Sequence, residues 1–197
     1  MTRILLQNMV ENLPADVLPT GWADLDMRQF SREKTLYEYQ QVALHNALRA
    51  LWKYYRSPSI PADLKSSYMD WYSEYGLEED LSIPLDHSSF AKRTLSALLE
   101  SYYPANEEDR LDYTHFINRM SFWMATGSGK TLVIVKLIEF LHTLIHRGEI
   151  PSREILVLAH RDDLLEQLRQ HINEYNLNGG LYIRLVELRD YADVRVN

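Results

Sequence analysis

Eight consecutive residues, Met124-Ala125-Thr126-Gly127-Ser128-Gly129-Lys130-Thr131, have the types and spacing to hold a triphosphate. They end a short apolar stretch (Phe122, Trp123, Met124) and open an apolar run containing Leu132, Val133, Ile134, Val135, Leu137 and Ile138. Strand, glycine turn, Lys-Thr and helix is an arrangement that cradles a nucleoside triphosphate. The glycines let backbone N–H groups turn inward onto phosphate oxygens, and the helix N-terminus adds partial positive charge. Lys130 would reach the β- and γ-phosphates, and the Thr131 hydroxyl would hold Mg²⁺. Thr126, Gly127, Ser128, Gly129, Lys130 and Thr131 are therefore the candidate ATP-binding residues, with Lys130 and Thr131 nearest the chemistry. A plain Gly-Ser bend before a buried helix could look similar, but the Gly-x-Gly-Lys-Thr core in this context argues against it.

The general phosphate-loop pattern has Gly where this chain has Met124. The form Ala-Thr-Gly-Ser-Gly-Lys-Thr resembles motif I of superfamily 2 helicases and translocases. With Met124 in front, it looks most like the DNA-dependent motor (Res/R) subunits of restriction enzymes and related defence systems. Residues 155–161 (Ile-Leu-Val-Leu-Ala-His-Arg) with Leu164-Leu165-Glu166-Gln167 resemble motif Ia, a buried parallel strand running into a helix. The resemblance implies an ATP-dependent motor on DNA, with Arg161 gripping a phosphate without regard to sequence. It also gives Gln40, in Tyr37-Glu38-Tyr39-Gln40, the adenine base, since an amide offers donor and acceptor in one plane. In that family the Tyr-Gln pair stands much closer to the phosphate loop. Here 87 positions separate Gln40 from Gly127, so residues 60–118 read as an insertion.

Net charge is −7, which is unusual for a nucleic-acid motor, but its distribution is uneven. Residues 60–118 hold 4 Lys/Arg against 12 Asp/Glu, a net of −8, and the flanks are near neutral. A local basic track is thus compatible with the low pI. The insertion is dense in aromatics (Tyr68, Trp71, Tyr72, Tyr75, Tyr102, Tyr103), which in acidic surroundings favour packing or a protein partner over stacking on bases. Cysteine is absent, which excludes disulfides and thiolate metal sites. Residues 1–7 lack the apolar run of a signal peptide, and Lys136, Glu139 and His142 interrupt the longest apolar stretch, so neither a leader nor a membrane span is expected and a cytoplasmic location is. His142 and His146, spaced i, i+4, lack a further ligand and read as a solvated helix edge.

The elements that must position these groups follow from periodicity and punctuation. Residues 1–34 read as an irregular or partly strand-like lead-in, broken by Pro14, Pro19 and Gly21. Thr35 is expected to cap a helix over about 36–56. Helices are expected at 61–76, 90–103 and 106–118, with a polar loop over 76–88. Strands near 120–125, 155–160 and 181–185 alternate with helices over 130–147 and 162–175, Asp162 or Asp163 capping the latter. The expected fold is α/β: an incomplete RecA-like parallel sheet with an acidic helical insertion. The expected division is a lead-in and adenine helix (1–59), the insertion (60–118) and the ATP-binding part (119–197). A motor of this kind also needs an Asp-Glu pair for Mg²⁺ and the attacking water. No Asp-Glu pair follows Lys130; residues 185–190 are a poor imitation. The expectation is therefore the front part of a first motor domain, binding ATP without turning it over. Two alternatives stand beside it: a non-catalytic interaction module built on the insertion, and an unrelated phosphate-loop ATPase or kinase.

Overall fold

The computed structural model describes residues 5–14, 16–55, 70–74, 82–112, 115, 118–178 and 182–188. In chain order the elements are α1 (Leu5–Glu11), α2 (Thr20–Ala23), α3 (Glu38–Tyr55), β1 (Ser82–Pro84), α4 (Phe90–Glu100), β2 (Arg110–Asp112), α5 (Lys130–His146) and α6 (Asp162–Asn178). The chain divides into two compact units, Met1–Leu13 with Ala50–Ser121, and Pro14–Arg49 with Phe122–Asn197. The second unit brings the first turns of α3 together with the glycine loop, although residues 60–118 separate them in sequence.

In this second unit α5 and α6 pack together. Val133, Phe140 and Leu144 of α5 and Leu168, Ile172 and Tyr175 of α6 are buried at the helical spacing that an apolar face requires, and Val135 and Ile138 are buried on the other side of α5. Helix α5 stops at Gly148, whose φ of 71° is left-handed. Gly148 N–H donates to Ile145 O (3.0 Å) and Glu149 N–H to Leu144 O (2.9 Å), which satisfies two carbonyls otherwise left open at the helix end. Lys136 breaks the apolar pattern yet is buried: its Nζ donates to Gln29 O (2.8 Å) and lies 2.7 Å from Glu139. Burial pushes the Glu139 carboxyl above its ordinary range.

The lead-in is more ordered than its Pro and Gly content suggests. Residues 28–36 fold back on themselves, with Gln29 bridging Thr35 and Leu36 N–H donating to Arg28 O (2.8 Å). Ser31 Oγ donates to Glu174 of α6 (2.8 Å), and Lys34 pairs with the same carboxylate (2.5 Å). Thr35 lies in that bridge and does not cap α3. The cap is Tyr37, whose N–H donates to Gln40 Oε1 (2.8 Å), the third helical residue reaching back to the first open donor.

In the first unit, α1 is a helix where an irregular segment was expected; Met9 and Val10 are buried. Helix α4 is capped by Ser89, whose Oγ accepts from Lys92 N–H (3.3 Å). Within the span 106–118, where a helix is expected, residues 110–112 form β2, paired antiparallel with β1 inside the expected polar loop, Ile83 opposite Leu111; residues 113, 114, 116 and 117 lie outside the description. Asn106 explains the difference. Its Oδ1 accepts from the N–H groups of Glu108 and Arg110 (both 3.0 Å), and Asp109 takes a left-handed φ of 58°, which no right-handed helix accommodates. Of the helix expected at 61–76, residues 70–74 are helical and the rest lies outside the described residues.

The parallel sheet is also not present among the described residues. Segments 120–125, 151–159 and 182–187 carry no strand, and Leu181 lies outside the description. A parallel strand exists only through ladder bonds to a neighbour, and its apolar run is buried only when helices cover both faces. Here Trp123, Leu156 and Leu158 are exposed, so these segments have the composition of buried strands without the partners that would make them so.

Candidate nucleotide-binding site

The glycine loop is built by two left-handed residues. Ala125 to Ser128 closes a turn, Ser128 N–H donating to Ala125 O (3.2 Å), with Gly127 at φ 77°. Gly129 follows at φ 76°, ψ 34° and serves as the N-cap of α5 without a side chain. Two left-handed residues separated by one are accessible to glycine at little cost and to other residues only with strain.

Helix α3 holds this loop from one side. Gln40 is buried, and its Nε2 donates to Ser128 O (2.8 Å) while its Oε1 caps α3. The Tyr39 hydroxyl donates to the same carbonyl (2.9 Å). A Cβ on Gly129 would lie 2.6 Å from Gln40 Nε2, so Gly129 is set by proximity as well as by φ. Gly127 has open space around its missing Cβ. Lys130 lies over the loop, with Nζ donating to Ala125 O (2.8 Å).

These residues fit a triphosphate on three observations. The backbone N–H groups of Gly129, Lys130 and Thr131 have no partner among the described residues, as expected at a helix start that awaits an anion. Ser128 Oγ is buried without a hydrogen-bond partner, which marks a polar position left open. Lys130 holds its ammonium against a loop carbonyl, a contact that a phosphate can replace. Thr131, half-buried in the first turn of α5, carries a hydroxyl of the hard-oxygen kind that would suit Mg²⁺ alongside phosphate oxygens.

Gln40 is thus brought to the phosphate loop, and one N–H and one lone pair of its amide are committed within the chain. Arg161 stands just before α6 as an exposed side chain, its guanidinium forked onto Asp163 (2.8 and 2.5 Å). That hydrogen bond holds the Asp163 carboxyl below its usual range. An exposed pair of this kind contributes little, so a phosphate can compete for the arginine. Glu187, in the weak imitation of an acidic motif, pairs with Arg169 (3.0 Å), and residues 189–190 lie outside the description. Sequence reasoning missed Tyr39: attention went to the amide beside it, although a phenol one residue earlier at a helix start also reaches the loop.

Compared with known protein families, residues 33–181 match the type III restriction enzyme res subunit family. Neither the curated proteins nor the solved structures gave a match. The matched span runs from the lead-in hairpin through α3, the insertion, the glycine loop and α6, three quarters of the chain. The chain belongs to the family of the res subunit of type III restriction enzymes, a helicase-like family of the RecA-like phosphate-loop fold.

Proposed function

We propose that the chain supplies the ATP-binding portion of an ATP-dependent DNA translocase or helicase of the restriction-enzyme motor type. The observation that carries this reading is the helix start at Gly129–Thr131, with open N–H groups, an unpartnered buried Ser128 Oγ and Lys130 held across the loop. In this reading the backbone N–H groups and Lys130 bind the phosphates, Thr131 holds Mg²⁺, and Gln40, buried against the loop, would have to turn an amide edge outward to read the base. Bound Mg²⁺ would offset phosphate charge and polarise the γ-phosphoryl group. Arg161 leaves Asp163 to grip a DNA phosphate. The segments 120–125, 155–160 and 181–185 form the parallel sheet when their edges are paired. Residues 131–197 contribute no Asp-Glu pair, so the proposed role of this portion is binding rather than turnover. The insertion is proposed as a protein-binding element: its charge opposes DNA, and α4 exposes Phe90, Leu95 and Leu98.

Nucleotide binding to the 197-residue chain tests the reading directly. Titration with ATP and Mg²⁺ should give saturable binding that Lys130→Ala abolishes or weakens strongly. ATP hydrolysis that vanishes in Lys130→Ala would overturn the assignment of binding without turnover. Phosphorylation of a small molecule, indifferent to DNA, would favour an unrelated kinase.

A further inference from the structure

Two donors from neighbouring residues of α3 converge on one loop carbonyl, and only one of them, Gln40, has a role in the reading above. The other is Tyr39, whose ring is half exposed and so is not held there by burial. It stacks on Tyr37 (centroids 5.8 Å apart, planes 13° apart), which fixes its direction, and its hydroxyl reaches Ser128 O. The Ser128 carbonyl and the Gly129 N–H belong to a single peptide unit. That unit is planar and trans, so its oxygen and its hydrogen point in opposite directions. With the oxygen held by Tyr39 and Gln40, the Gly129 N–H is aimed away from α3, and it has no partner among the described residues. Hydrogen bonds accepted by a carbonyl also polarise its amide and strengthen the N–H as a donor.

We infer that Tyr39 is a positioning residue for anion binding: its hydroxyl, through the Ser128 carbonyl, orients and polarises the Gly129 N–H toward the phosphates. The inference rests on the ATP-binding reading and adds to it a residue that acts on the triphosphate and not on the base. Tyr39→Phe keeps the ring, its stack and its area, and removes a single hydrogen bond.

The test compares wild type and Tyr39→Phe for binding of ATP, ADP, inorganic tripolyphosphate and adenosine, with thermal unfolding measured alongside. Loss of one hydrogen bond should weaken ATP, ADP and tripolyphosphate by about two- to tenfold and leave adenosine binding unchanged. A general structural role would lower the melting temperature and weaken all four ligands alike, and a base-stacking role would weaken adenosine and spare tripolyphosphate. Either result overturns the inference, as does a variant whose phosphate ligands bind like wild type. Failure of the wild type to bind ATP and tripolyphosphate at all would overturn the ATP-binding reading itself, which separates the two failures.

Discussion

Gly127 and Gly129 share almost the same φ, 77° and 76°, but differ in what a Cβ would meet. At Gly127 it finds nothing within 4 Å; at Gly129 it lies 2.6 Å from Gln40 Nε2. An L-residue in the left-handed region costs about 1–2 kcal/mol. The Gly→Ala change returns about 0.4–1 kcal/mol by narrowing the unfolded ensemble. Gly127→Ala should therefore cost about 0.5–1 kcal/mol. Gly129→Ala carries the same backbone terms and must also expel the Gln40 amide from two hydrogen bonds, each contributing about 0.5–1.5 kcal/mol. Its cost should reach about 2–4 kcal/mol. Urea unfolding, with equal m-values required for comparison, measures the difference. The double variant Gly129→Ala with Gln40→Ala should recover part of the loss, because the clash is gone; a coupling energy of about 1 kcal/mol or more is expected. Equal costs at the two glycines, or strict additivity in the double variant, would refute the claim that Gln40 shapes the loop.

Lys130→Ala should reduce ATP affinity at least tenfold while leaving the unfolding free energy in urea within about 0.5 kcal/mol of wild type, since the side chain is exposed and its one bond is to a loop carbonyl. Lys136→Met should destabilise by about 2–4 kcal/mol, because it leaves the half-buried Glu139 carboxylate and the Gln29 carbonyl without their cation. The pH dependence has a definite sign. A carboxyl whose folded pKa lies above its unfolded value binds protons more readily in the folded state, so stability falls as pH rises through that window. The Lys136→Met variant should therefore lose more stability at pH 8 than at pH 5, and a flat profile would contradict the buried pair. Glu174 behaves oppositely: burial raises its pKa, but the bonds from Lys34 and Ser31 outweigh that and hold it below 4.5. The contact is fully formed above that value and lost as pH falls through the lower folded pKa. The melting-temperature gap between wild type and Glu174→Gln should close in that acidic range. Arg161→Ala should lower the salt dependence of DNA binding by about one phosphate contact, with ATP affinity unaffected.

Legibility in the sequence tracked the range of the interactions involved. The spans of α3, α5 and α6 were readable because their apolar residues recur at helical spacing and their ends carry local signals, Gly148 among them. The glycine loop was readable because its conformation is dictated by glycine itself. The β1–β2 pair was not, since it depends on Asn106 choosing backbone N–H groups over a helix and on two segments meeting from 26 positions apart in register (Pro84 with Arg110). Buried Lys136 was read only as a break in an apolar run; its partner on the main chain of Gln29, 107 positions away, leaves no periodic trace. Tyr39 lay in view but was given no role, because nothing local reveals that a phenol will find the Ser128 carbonyl 89 positions later.

The long excursion between Gln40 and the loop costs less than its length suggests. Closing a flexible loop costs entropy only logarithmically, about 0.6 kcal/mol for each doubling. An insertion that roughly triples the separation thus adds about 1 kcal/mol. The two hydrogen bonds that α3 makes to Ser128 contribute about 0.5–1.5 kcal/mol each, enough to offset that term. Replacing residues 60–118 with a short Gly/Ser linker should accordingly leave tripolyphosphate affinity within about threefold of wild type. A larger loss, with the melting temperature preserved, would mean that the insertion itself orders the phosphate loop.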